Sequence, residues 1–515
     1  MRSLNGALSS DLLAAYLLAA CLGGCATSAL DMAPERPDRP WSPVTTAGGE
    51  IVAGTRSSAS PARDYVLPAN SAMAEAPPGP SVDSAKIYGL ADLIDLAESS
   101  NPTTRIAWND ARIAALAAGV VKSAYLPKVT ATAVGVYGSS TGSASAQVLS
   151  VNSDHSGEGV ISAVSLQWLL FDFGERTAVV DAAKQASVMS NIAFTASHQQ
   201  LIYAVTQAFY ANAAAQAHVA TATESFADAQ AVQTAAEDRY KRGVGTVIEV
   251  AQARQATAQA KLALVQAGGG AQDAYLSLLD AMGISPLTRI KVADVSGRVL
   301  SPAMDEPAEA VVSQALSRRP DVLGAYAAEK ASQARVRAAR AEFMPKVFLS
   351  ATGAYNSGRV DLTALPGFGQ QGSTVNLNGD RFGGTIVAGV TVPLYDGGTR
   401  AAALAQARAE ADSAEARLAR ARQDAVMQVV HAGNALRTSL AAYSASQALA
   451  TAAKTTFDGA LGAYRNGVGP ITDVTVAEIQ LLQAKNAATD AYSTALSAAA
   501  TLALVTGALG SAPQS

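Results

Sequence analysis

The sequence predicts a mixed α and β membrane protein built of two internal repeats, each placing strands of membrane-crossing length before a long helical hairpin. Three observations carry that prediction. YKRGVGTVIEV at Tyr240–Val250 returns as YRNGVGPITDV at Tyr464–Val474, an offset of 224 (464 less 240), and repetition of this kind governs the whole architecture. Long alanine-rich stretches without proline flank both copies. After Pro127-Lys128 and again after Pro345-Lys346 the apolar period changes from helical to two, the signature of a strand.

Composition narrows the function before any motif does. Of 515 residues, 49% are hydrophobic but only 5% aromatic. Alanine dominates the apolar set; it fills little core volume and is the best helix former. Long helices in close contact satisfy that mixture better than a thick globular core. A net charge of −4 and a pI near 5.7 show no basic excess, which argues against a nucleic-acid partner.

The elements follow in chain order. Residues 1–25 read as a lipoprotein-type export signal, with Arg2 ahead of an apolar run from Leu12 to Leu22 and small residues before each cysteine. The lipidation candidate is Cys25, with Cys21 as the alternative; these are the chain's two cysteines. An acyl anchor such as palmitate at that position would hold the chain to outer-membrane lipid. Residues 26–86 are rich in Pro, Ser and Gly and read as an extended linker.

The first repeat is assigned to 87–300 and the second to 301–510, with 511–515 as a tail. Helices end before Asn101-Pro102 and Arg319-Pro320 and resume to the two Pro-Lys pairs, since proline breaks a running helix. Four strands are then expected, at about 128–138, 159–171, 346–356 and 383–394. Val160, Val164, Leu166, Trp168 and Leu170 share one face, as do Ile386, Ala388, Val390, Val392 and Leu394. Strands of roughly 9–11 residues are long enough to cross a bilayer at a tilt; the alternative is a pair of soluble hairpins. From Gly174 to Arg242 no proline interrupts a helical composition, which predicts a helix of roughly 100 Å. The hairpin tips are expected at 240–246 and 464–470, where glycine supports the reversal. Gly268-Gly269-Gly270 is expected to kink or break the first returning helix.

Four strands cannot close a barrel, because open edges would leave backbone groups unpaired in hydrocarbon. Closure therefore requires several identical subunits. Catalysis finds no support. Gly367-Phe368-Gly369-Gln370-Gln371-Gly372 matches GxGxxG only formally, lying between expected strands without the strand–turn–helix context of a dinucleotide site. His155, His198, His218 and His431 are scattered and lack metal-ligand spacing. No catalytic residue, metal or cofactor is expected.

Taken together, the twofold repeat, the Asn-Pro and Arg-Pro breaks, the Leu-Pro-Lys and Met-Pro-Lys strand starts, Phe171-Asp172-Phe173-Gly174 with Tyr395-Asp396-Gly397-Gly398, and the two Tyr-x-x-Gly tips resemble the TolC-like outer-membrane efflux family, in a lipid-anchored form. The resemblance covers roughly residues 87–510. It implies a homotrimer with a twelve-strand transmembrane β-barrel continued by an α-helical coiled-coil barrel in the periplasm. It further implies a periplasmic adaptor and an inner-membrane pump of the RND, ABC or MFS type. The adaptor-contact role falls on Tyr240, Arg242, Gly243, Val244 and Gly245 and on Tyr464, Arg465, Gly467, Val468 and Gly469. Asp473 and Glu249 are the periplasmic gate candidates; the alternative for Asp473 is an exposed acid at a helix N-terminus. Arg239 and Arg242 with Asp238 are either locking pairs or exposed charges.

The function expected is a passive outer-membrane conduit for small molecules or drugs. One alternative keeps the architecture and exports proteins through a type I system. Another class altogether is a non-conducting coiled-coil stalk lipoprotein, which would explain the helices but not the paired strands.

Overall fold

The computed structural model describes residues 32–34, 37, 41, 43–53, 66–75, 79–80, 82–146, 149–295, 308–358, 362–364, 375–377 and 382–509. Cys21, Cys25 and the Gly367–Gly372 motif lie outside the described residues. The chain divides at Ser81 into two compact units.

In the first unit, β1 (Pro43–Thr45) pairs antiparallel with β2 (Ile51–Ala53). Gly49 turns the chain between them at φ 83, a conformation that glycine adopts without strain. Asn70 donates to the Gly49 carbonyl at 3.0 Å and caps the short 3-10 turn Ser71–Met73. The stretch expected as an extended linker thus contains a small hairpin, because β-branched Val44, Ile51 and Val52 have a turn that lets them pair.

The second unit begins with β3 (Ile87–Tyr88), parallel to β6 (Lys291–Val292). Two helices follow, α1 (Leu90–Ser100) and α2 (Pro102–Lys122). Asn101 separates them: its extended backbone ends α1, while its side chain accepts from Thr103 N at 2.9 Å and caps α2. Pro102 sits in the first turn of α2, where its missing N–H costs no intrahelical bond.

Four antiparallel strands come next in chain order: β4 (Lys128–Ala146), β5 (Leu149–Phe171), β7 (Lys346–Gly358) and β10 (Phe382–Thr391). They form one sheet in the order β10-β7-β5-β4. Residues 362–364 and 375–377 make a separate short pair, β8 and β9. The β5–β7 register, from Gly159↔Gly358 to Leu169↔Phe348, joins one repeat to the other. β4 and β5 are longer than the periodicity indicates. Their pairing continues past Tyr137↔Glu158 to Ala146↔Leu149, through a Gly/Ser-rich stretch with no alternating apolar signal.

Each strand pair leads into a long helix through the same device. α3 (Glu175–Lys241) starts at Gly174, with φ 91, and α7 (Thr399–Arg465) at Gly398, with φ 89. Asp172 accepts from Gly174 N at 3.2 Å, Arg176 N at 3.0 Å and Arg176 Nε at 2.7 Å. Arg176 in turn donates to the Leu169 and Ala124 carbonyls at 2.6 and 3.1 Å. Asp396 repeats this with Gly398 N and with the backbone and side chain of Arg400, at 3.1, 3.0 and 2.6 Å. One carboxylate thereby caps the helix, and its arginine anchors the helix to the end of the strand.

The hairpins are completed by α4 (Val247–Met282) and α8 (Ile471–Val505). At 1.5 Å per residue, α3 and α7 each run roughly 100 Å. Buried alanines recur every seventh residue: Ala222, Ala229 and Ala236 on α3; Ala253 and Ala260 on α4; Ala407 and Ala414, then Ala425 and Ala432, on α7; Ala477 and Ala484 on α8. A seven-residue repeat keeps one seam facing its partner, and alanine lets the backbones approach closely. Helix α4 runs unbroken through Gly268–Gly270. Of the two expected outcomes, a kink or a non-helical break, the break is absent; all three glycines are exposed, with open space around them. The shorter helices α5 (Ala308–Arg318) and α6 (Pro320–Ala341) complete the second repeat.

Burial raises the Asp172 carboxyl pKa, but its hydrogen bonds and its attraction to Arg176 outweigh that and hold it below the usual range. A lowered carboxylate pKa stabilises the fold above the unfolded-state value and loses that contribution as pH falls through the folded value. Asp172→Ala should cost about 3 kcal/mol at neutral pH, as for breaking one partner of a buried pair, and progressively less in acid. Thermal melts in detergent, followed by helical circular dichroism at both pH values, measure this.

Candidate functional site

The two tips are built alike, from the C-terminus of one helix, a glycine turn and the N-terminus of the next. Gly243 adopts φ 75 and Gly467 φ 80. Gly243 N donates to Tyr240 O at 2.9 Å and Val244 N to Arg239 O at 3.1 Å; in the second tip the pairs are Gly467–Tyr464 and Val468–Ala463, at 3.0 and 2.9 Å. This is the pairing that satisfies terminal carbonyls when a left-handed residue ends a helix. Gly245 and Gly469 serve a different need. A Cβ on Gly245 would sit 2.9 Å from Tyr240 N, and one on Gly469 3.1 Å from the Ala463 Cβ. In the first tip Thr246 and Glu249 then form a reciprocal cap on α4, with Glu249 N to Thr246 Oγ1 at 3.2 Å.

Sequence equivalence hides a structural asymmetry. Tyr240 is 51% exposed, whereas Tyr464 is fully buried. Around Tyr240, Val244, Val247 and Ile248 are also exposed, and the Arg242 side chain donates to the Asp238 carbonyl of its own helix. Tyr464 packs with Val232, Val250, Phe457, Ile471 and Val474, a cluster drawing on all four long helices. Arg239 reaches across, donating to Tyr464 O at 3.0 Å and Val244 O at 3.3 Å, with its guanidinium 5.0 Å from the Tyr464 ring. The Tyr464 hydroxyl donates to Glu249 at 3.4 Å. Burial first, and the Glu249 charge second, push that phenol's pKa up. Arg239, Tyr464 and Glu249 thus tie the first tip to the second. Glu249, one of the two gate candidates, caps α4 and accepts from Tyr464. Asp473, its equivalent at the 224 offset, is exposed in the first turn of α8, as are Arg465 and Val468 at the second tip.

One ionisable residue near the tips escaped the sequence reading. Glu478, on α8, is 6% exposed, and its Oε2 has no hydrogen-bond partner. Burial first, then the nearby Asp228 charge, push its pKa up to about 7. Its equivalent in the first repeat, 224 residues earlier, is Arg254, which pairs with Glu237 at 3.0 Å. That reversal of charge between matched positions was the available signal.

If Arg239 holds the tips together, Arg239→Met should separate them without unfolding the hairpins. Spin labels at Val244→Cys and Val468→Cys, with both native cysteines replaced, would read a broader and longer distance distribution. An unchanged distribution would assign the tie to the apolar cluster alone.

Comparison with known proteins agrees with this architecture. The family model for outer membrane efflux proteins matches residues 93–284 and 311–508. Protein CyaE of Bordetella pertussis is 29% identical over 409 residues, covering 79% of this chain and 81% of that protein. Outer membrane protein OprJ of Pseudomonas aeruginosa is 25% identical over 296 residues, covering 58% and 59%. Among solved structures, VceC of Vibrio cholerae superimposes with a TM-score of 0.68 at 21% identity, over 81% of this chain and 96% of that one. CusC, whose structures concern transmembrane channel formation, gives 0.69 at 18% identity, over 81% and 92%. The two-part match of the family model, one part in each repeat, covers most of the chain, and this protein belongs to the outer membrane efflux protein family.

Proposed function

We propose that the chain is the outer-membrane channel of a tripartite efflux system, a passive conduit that carries small molecules from the periplasm to the exterior. The observation that supports this most directly is the four-stranded sheet, with β4 and β10 at its edges and apolar side chains on its exposed surface. Val129, Val164, Ile386 and Val390 are each more than half exposed, which is costly against water and favourable against lipid. Among the described residues no helix is long and apolar enough to cross a membrane; the strands are the spanning candidates.

The edges β4 and β10 call for pairing with other copies. Three chains give twelve strands, within the range of known outer-membrane barrels, and the hairpins of three chains assemble into the helical tunnel below. Lipid attachment at Cys25, or at Cys21, would anchor each chain to the outer membrane. The tips are the natural docking end for a periplasmic adaptor, through which an inner-membrane pump of the RND, ABC or MFS type supplies the energy. Tyr240, Val244, Val247 and Ile248 form the most apolar part of that end. Three copies of Asp473 converging on the axis would attract cations and repel one another.

Single-channel recording in planar bilayers, with the oligomeric mass measured in the same detergent, tests this reading. Discrete conductance steps from a trimer are expected, and Asp473→Ala should weaken block by divalent cations. A monomer that never conducts would overturn the conduit. In cells, Gly243→Val with Gly467→Val forces β-branched residues into left-handed backbone, a strain of roughly 1–2 kcal/mol at each site. Trimers should persist in the membrane while efflux is lost; unchanged drug resistance would remove the tips from function.

A further inference from the structure

We propose that the cavity between α4 and α8, floored by α3, is a binding pocket for a small organic cation, an ammonium group on an apolar body, with Glu478 as its counter-ion. The cavity has a volume of about 430 Å³, and its walls include Gln252, Gln255 and Gln259, with Ser225, Thr475 and Ile479 opposite or beneath. Residues three and four apart share a helix face, so the three glutamines present one amide-lined wall. Glu478 lines the same cavity, is nine-tenths buried and leaves Oε2 without a partner.

A buried carboxylate is retained at a cost unless something answers its charge. The neighbouring charge that acts on Glu478 is that of Asp228 on α3, itself an acid whose pKa burial and Glu224 push up. The cations that act on Asp228 are engaged elsewhere: Lys485, on α8, pairs with Glu224 of α3, and Lys454, on α7, pairs with Asp458 at 2.6 Å. From α4 only uncharged side chains face the site, the three glutamines and the alanines between them.

Size decides between a metal ion and an organic cation. A dehydrated ion fills a small fraction of 430 Å³, whereas pockets for small organic ligands run from roughly 300 to 1,000 Å³ and combine apolar walls with few polar groups. Among the described residues no cluster of three His, Cys, Asp or Glu side chains could hold a metal. Amide oxygens accept from an ammonium, Glu478 neutralises it, and Ile479, Leu482 and Ala260 cover the apolar body.

The test is calorimetry of phenethylammonium against the full chain in detergent, with neutral 2-phenylethanol as control. The probe stays cationic at both pH values used, since alkylammonium groups titrate near ~10. With Glu478 ionising at about 7, affinity should rise about thirtyfold from about pH 5.5 to about pH 8.5, following the ionised fraction of one carboxyl. The neutral control should show no such dependence. Glu478→Gln should abolish the pH dependence, and Ala256→Leu, which fills the cavity from a half-buried position outside the alanine seam without touching charge, should weaken binding at both pH values while helix content and oligomer mass stay unchanged. Absence of saturable binding at the higher pH, or equal binding by Glu478→Gln, would overturn the proposal. Equal binding of N-acetyl-lysine amide would overturn it in favour of a partner's lysine side chain. Because binding is measured on the isolated chain, its failure and that of the conduit are separately visible.

Discussion

A helix of 67 residues cannot hold itself straight in water; it needs a partner along its whole length. Everything else in this chain accommodates that requirement. The alanine seams supply close contact without bulk, and the seven-residue recurrence keeps each seam facing its neighbour. Two such helices, matched at one sequence offset, support one another through their returning partners. The largest fully buried side chains are concentrated in two places. One is the level where α1 meets the hairpins around Leu93, Phe209, Leu278 and Met282; the other is the tip cluster around Phe457 and Tyr464. Between these levels small residues carry the packing.

The second requirement is to pass from sheet to helix without losing direction. The Asp-x-Gly-x-Arg junction does this with three residues. The glycine takes a backbone angle open to few other residues, the aspartate satisfies the first helical amides, and the arginine returns to the strand's terminal carbonyls. A helix of roughly 100 Å amplifies any angular error at its base, so rigidity at this junction sets where the tips lie.

Much of this was legible in the sequence because it is written locally. Glycine turns, proline breaks and a change of period each depend on a few neighbouring residues, and their recurrence at one offset made them unambiguous. The far halves of β4 and β5 were not legible, because Gly and Ser carry no alternation and only cross-strand pairing defines them. Arg176 and Arg400 went unremarked although they recur at the same offset; their role depends on carbonyls several residues earlier in the chain. The different fates of Tyr240 and Tyr464 could not be read at all. Which of two matched tyrosines is covered is decided by the other hairpin. Gly268–Gly270 makes no break for the opposite reason: glycine lowers helix propensity, but packing along the rest of α4 overrides it.

That difference between the tyrosines has a consequence for stoichiometry. Each chain ends in two turns of nearly the same backbone shape, yet one presents an exposed aromatic ring and the other has withdrawn its ring into the core. A partner that recognises only the turn finds two equivalent seats per chain. One that recognises the ring finds a single seat, so around a closed assembly the two modes of recognition would differ by a factor of two in the number of partners bound.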